Sequence, residues 1–135
     1  MNHPHYALGE PVCHLVELLP ERPVAALVGG RQVAIVRTHD DRVYAVGMWC
    51  PFAHANVMAR GLVGSRERDG EQVPVIFSPM YKQAYDLETG VCTTDAGAAL
   101  GAWRVTVRDG HVHVGEQVVA EAPPRLVRAA LARAS

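Results

Sequence analysis

Two stretches carry residue types that could do chemistry: WCPFAH, Trp49 to His54, and SPMYKQ, Ser78 to Gln83. In the first, a thiol and an imidazole, Cys50 and His54, stand with three residues between them. Thiolate and imidazole are the donors that hold zinc and iron–sulfur clusters. The second has the cadence of a ligand loop, yet Ser78 and Tyr81 occupy the places where ligands would sit. Hydroxyl and phenol oxygens are hard donors and poor substitutes for sulfur. A zinc or iron centre built on Cys50 and His54 needs two further ligands. Cys13, His14 and Cys92 bear no motif relation to that pair. The favoured reading is therefore a small buried apolar side chain at Cys50 and a backbone-bonded loop residue at His54.

Other candidate groups fall away on the same kind of argument. Gly29-Gly30 separates two apolar runs and lacks the strand–loop–helix setting of a dinucleotide site. No Ser-His-Asp or Cys-His arrangement falls in a recognisable motif. Asp40-Asp41 reads as a pair of turn formers rather than paired acids. His111 and His113, two apart, share one strand face and read as exposed strand residues, not metal ligands. No catalytic residue and no metal site are expected.

The elements that must position the two loops are short and apolar, with Gly and Pro between them. VAALVGGRQVAIVRT predicts a hairpin about Gly29-Gly30, and WRVTVRDGHVHVG another about Asp109-Gly110. A turn at His39 to Arg42 leads into a strand in which Val43 and Ala45 face away from Tyr44 and Val46. LLPERP reads as a short turn. VPVIFSP is a strand ended by Pro79, and QAYDLETGVC a strand, a turn over Leu87 to Gly90 and a return strand. Turns every eight to twelve residues or so predict a small sandwich or barrel rather than alternating strands and helices. The charged run SRERDGE, within Ala55 to Gln72, is expected to be an exposed, mobile insertion. In the tail, Leu126, Val127, Ala130 and Leu131 fall on one helical stripe. Both a terminal helix and a frayed tail stay open for it.

Composition narrows the classes. The chain has 135 residues and a formal net charge of −1, so it fits one domain and offers no basic surface for nucleic acid or anionic membrane. No apolar run approaches the roughly 18 residues of a membrane span. MNHPHYALGEPV lacks the pattern of a signal peptide. Three cysteines without paired spacing argue against a disulfide framework and for a reducing cytoplasm.

The paired loops resemble a Rieske-type domain, in which two loops pinch a [2Fe–2S] cluster through Cys-x-His and Cys-x-x-His. The second loop keeps the frame, Ser78-Pro79-Met80-Tyr81 followed by Tyr85-Asp86 and Thr89-Gly90, with both ligands replaced. The string from Pro51 through Ala55-Asn56-Val57-Met58, Arg60-Gly61 and Val63-Gly64, together with Ser78 to Gln83, narrows the likeness. It resembles the family of small subunits of assimilatory NAD(P)H-dependent nitrite reductase. The resemblance covers about residues 12–114. It implies an all-β Rieske-like fold over 12–115, between a flexible 1–11 and a tail at 116–135. It also implies a non-catalytic cytoplasmic chain without its own cofactor. Its partner is then a large subunit with sirohaem, an Fe–S cluster and FAD that reduces nitrite to ammonia by six electrons. Cys50, His54, Ser78 and Tyr81 become vestigial cluster positions. Phe52, His54, Met80, Lys82 and Gln83 become the expected partner-binding tip. Two alternatives are carried: a Rieske-type [2Fe–2S] ferredoxin, and an unrelated β-domain binding module.

Overall fold

The computed structural model describes residues 9–80 and 83–124. The expectations for the segment before Gly9, for Tyr81 and Lys82, and for the tail stripe from Leu126 to Leu131 lie outside the described residues. The described chain is built of strands: β1 (Glu10–His14), β2 (Val24–Val28), β3 (Arg31–Arg37), β4 (Val43–Gly47), β5 (Trp49–Cys50), β6 (Ala55–Asn56), β7 (Leu62–Arg68), β8 (Glu71–Phe77), β9 (Ala84–Asp86), β10 (Ala102–Arg108) and β11 (His111–Val119). Two single 3-10 turns, Leu15–Glu17 and Met58–Arg60, are the helical pieces among them. The expected all-β architecture is what the described chain adopts.

Six strands form one sheet in the order β1-β11-β10-β4-β3-β2. It curls toward closure, and the Gly29 amide at the β2–β3 turn donates to the Glu10 carboxylate of β1 across the gap, at 2.9 Å. Alternation along the strands gives this sheet two apolar faces. Val33, Ile35, Ala45, Trp103, Val112 and Val114 pack inside the curl with Leu18. Ala34, Val36 and Val46 point the other way, into a second cluster with Met48, Cys50, Met58, Ile76, Tyr85, Leu87 and Leu100. That second cluster is where the small sheets, β5-β6 and β7-β8-β9, attach.

The predicted hairpins form at Gly29-Gly30 and Asp109-Gly110, and both central residues of each have positive φ. This is the turn whose twist matches that of the flanking strands. SRERDGE differs from the expectation of a mobile insertion. It is the regular tip of the β7–β8 hairpin, paired from Leu62↔Phe77 to Arg68↔Glu71, with Asp69 and Gly70 again at positive φ. The run is exposed as expected, but it is anchored: Arg66 donates to Thr93 Oγ1 at 2.8 Å and Arg68 pairs with Asp86 at 2.7 Å. The turn over Leu87 to Gly90 forms, held by the Asp86 carboxylate, which accepts the Glu88 and Thr89 amides. The return strand reduces to single bridges, Tyr85↔Cys92 and Val91↔Ala99. Among the described residues, β1 begins at Glu10 and β11 runs to Val119.

Gly47 ends β4 where the chain turns from the large sheet toward the loops. A Cβ there would stand 2.1 Å from the Leu100 carbonyl oxygen, a backbone atom that cannot swing aside. Gly47→Ala is expected to cost about 1–3 kcal/mol, read as a lower urea midpoint at unchanged slope.

Candidate functional site

The first loop is a miniature hairpin. Trp49 pairs with Asn56 and Cys50 with Ala55, and the intervening turn closes through the His54 amide donating to the Cys50 carbonyl at 2.8 Å. His54 adopts φ 55° to make that turn, an uncommon conformation for a residue with a Cβ. Met48 fixes the loop from below, its carbonyl accepting the Val57 and Met58 amides. The second loop leaves β8 and returns at β9. The Ser78 amide donates to the Gln83 carbonyl at 2.8 Å across its neck, and the Met80 amide donates to Ser78 Oγ at 3.4 Å.

The loops meet through their side chains. Cys50 Sγ donates to Ser78 Oγ at 3.4 Å, and the Tyr85 hydroxyl lies 3.7 Å from the same sulfur. All three side chains are buried. Burial, and then the hydrogen bond with Cys50, push the Tyr85 phenol well above its ordinary range. Ionisation there would place a charge in an apolar pocket, so the phenol stays neutral and serves packing.

The structure thus brings Cys50 and Ser78 together and keeps His54 apart from them. His54 is exposed, its ring tilted against Trp49 at 6.2 Å between centroids. Together with Pro51, Ala99, Pro123 and Pro124, these two rings line an apolar hollow. Of the expected tip, Met80 is exposed at 57 %. Phe52 and Gln83 are half-buried, and Phe52 packs on the core cluster. Tyr81 and Lys82 lie outside the described residues. The residue that sequence reasoning passed over is Tyr85. It stands in the Tyr85-Asp86 frame, and the register that sets it opposite the buried Ile76 on β8 is tertiary, with no local signal in the sequence.

A [2Fe–2S] cluster of this fold needs four soft donors, two thiolates and two imidazoles. Among the described residues, the place where the loops converge offers one thiol, one hydroxyl and one phenol, the thiol engaged with both oxygens. Among the described residues no group of three or more His, Cys, Asp or Glu is arranged to hold a metal ion. These donors do not fit the cluster.

Residues 10–115 match the model of the Rieske-like [2Fe-2S] domain, so a Rieske-like domain is the class that the curled sheet and its paired loops define. The nitrite reductase (NADH) small subunit of Escherichia coli K12 is 36% identical over 104 residues, covering 76% of this chain and 93% of that one. A solved structure from Mycobacterium tuberculosis, described as an NADH-dependent nitrite reductase small subunit, superposes with TM-score 0.72 at 36% identity. It covers 82% of this chain and 95% of its own. The chain belongs to the nitrite reductase small-subunit family of Rieske-like domains. A third relative, the nitrite reductase [NAD(P)H] large subunit of Klebsiella oxytoca, is 37% identical over 123 residues. That match spans 84% of this chain but 12% of the large subunit.

The raised phenol has a consequence for stability. Unfolded tyrosine ionises near pH 10, so the stability tied to neutral Tyr85 is complete below about pH 10 and is lost progressively as pH rises beyond it. Tyr85→Phe is expected to cost under about 1 kcal/mol at pH 7, because a thiol sulfur is a weak partner. It should also flatten the alkaline decline. Urea midpoints of both proteins between neutral and strongly alkaline pH check this, and parallel declines would contradict it.

Proposed function

We propose that this chain is the non-catalytic small subunit of an assimilatory NAD(P)H-dependent nitrite reductase. Its partner is the large subunit, which carries the sirohaem, Fe–S and FAD chemistry that the family resemblance implies. The observation that carries this reading is the Klebsiella oxytoca relative. There a segment similar to most of this chain forms 12% of a large subunit, so the two units share one polypeptide. Covalent joining makes an association intramolecular, and a domain that works beside the large subunit is one that can be joined to it. The donor set supports the second half of the reading. Cys50, Ser78 and Tyr85 close the space between the loops with packing and hydrogen bonds, so the chain contributes shape and surface rather than a redox centre. Its place is the cytoplasm, where the three free thiols Cys13, Cys50 and Cys92 stay reduced. Among the described residues no helix is long and apolar enough to cross a membrane.

The loop tip is the contact surface in this reading. Met80 and His54 are its exposed side chains among the described residues, with Lys82 beside them in sequence. Loops on a rigid sheet are the usual place for such a surface. Met80→Asp with His54→Ala is expected to lower co-purification with the large subunit and nitrite-dependent NAD(P)H oxidation together. The control, Val107→Asp at the exposed end of β10, should change neither. Full pairing and activity in the double variant would remove the tip from the interface.

Cofactor content is tested separately. Iron and acid-labile sulfide, measured on anaerobically purified chain, are expected near zero, with no visible absorption. About two irons and two sulfides per chain would transfer the protein to the ferredoxin reading.

A further inference from the structure

His14 of β1 and His111 of β11 are direct partners across the antiparallel ladder. Their rings lie 4.2 Å apart between centroids, tilted by 43°. His113 sets its ring 6.4 Å from that of His111. All three stand on the outer face of the curled sheet, because Val112 and Val114 alternate with them and point into the interior. From the sequence, His111 and His113 were an ordinary exposed pair. The strand that crosses beside them adds a third imidazole.

Two of the rings are already oriented as metal-bound histidines are. His111 Nδ1 lies 3.1 Å from the Asp109 carbonyl oxygen, and His113 Nδ1 lies 3.4 Å from that of Gly9. A carbonyl only accepts, so Nδ1 carries the proton in each ring and Nε2 keeps a free lone pair. Backbone carbonyls select the tautomer behind many ligating imidazoles in this way. Two imidazoles on one tetrahedral ion, each bonded at about 2 Å, hold their centroids about 5 Å apart. The observed separations of 4.2 and 6.4 Å lie on either side of that value.

We propose that His14 and His111 form a surface clamp for an exchangeable divalent transition ion of the zinc, copper or nickel class. His113 is the neighbouring third imidazole, and water fills the open positions. Imidazole donors select these ions over calcium and magnesium, which take oxygen. Since no three such ligands converge as the described residues stand, the clamp begins with two ligands and is weak enough to exchange. The nearby charges oppose each other. Arg108 of β10 pairs with His111 in the ladder, whereas the Glu17 carboxylate accepts the His14 amide at 2.7 Å. A bound ion would tie the short edge strand β1 to β11, where the pairing is interrupted between Pro11 and Cys13. The site stands independently of the nitrite reductase reading, since it shares no residue with the loop tip.

The test is zinc chloride titrated into the full chain near pH 7.5, followed by calorimetry, thermal unfolding and the 15N shifts of the imidazole rings. Saturable binding is expected, with the Nε2 signals of His14 and His111 moving most and the unfolding midpoint rising. His111→Ala should weaken binding about tenfold or more and abolish the rise. His14→Gln serves as a second variant at an exposed position should His111→Ala fold poorly. His39→Ala and Cys13→Ser should bind as the unaltered chain does. Equal affinity in the His14 and His111 variants, shifts confined to His3, His5 or a cysteine, or no saturable binding of zinc, copper or nickel would each overturn the proposal.

Discussion

Burial of the two loops against one apolar cluster is the constraint on which the local geometry rests, and Cys50 and Ser78 are where the loops touch. The loops arrive from different small sheets, β5-β6 and β7-β8-β9. Neither has a regular ladder that reaches the other. The thiol, the hydroxyl and the Tyr85 phenol form a buried polar knot surrounded by Met58, Ile76 and Leu100. Buried polar groups are tolerated when they satisfy one another, and costly when they do not. The same knot sets the face against which the large sheet packs through Val36 and Val46.

The knot also explains how a Rieske-like frame can persist with this donor set. A cluster would cross-link two loops by covalent coordination. Here the linkage is apolar burial reinforced by weak hydrogen bonds to sulfur. Above it Met80 and His54 stand exposed, and an apolar hollow lined by Trp49 and prolines lies beside His54.

Charge plays a supporting part. The β7–β8 hairpin extends beyond the core, and its solvated faces carry SRERDGE. Asp86 is the buried exception. Its carboxylate accepts two amides of the following turn and meets Arg68 from the hairpin. One residue therefore joins the turn after β9 to the outlying hairpin. Arg68 itself is more than half exposed, so solvent weakens its share of that linkage.

What the sequence determined by itself was local. Alternating apolar residues and Asp-Gly or Gly-Gly pairs specify strands and tight hairpins, because both signals act within a few residues. The loop frame, Ser78-Pro79 through Thr89-Gly90, was readable for the same reason. SRERDGE misled because its charges masked an Asp69-Gly70 turn of the very type recognised elsewhere. Tertiary structure alone decided which distant pieces meet. The β4–β10 pairing, the approach of Cys50 to Ser78 and the crossing of His14 over His111 join residues far apart in the chain. Such contacts form only when the whole sheet curls to bury two apolar faces, and no short window of residues encodes that balance.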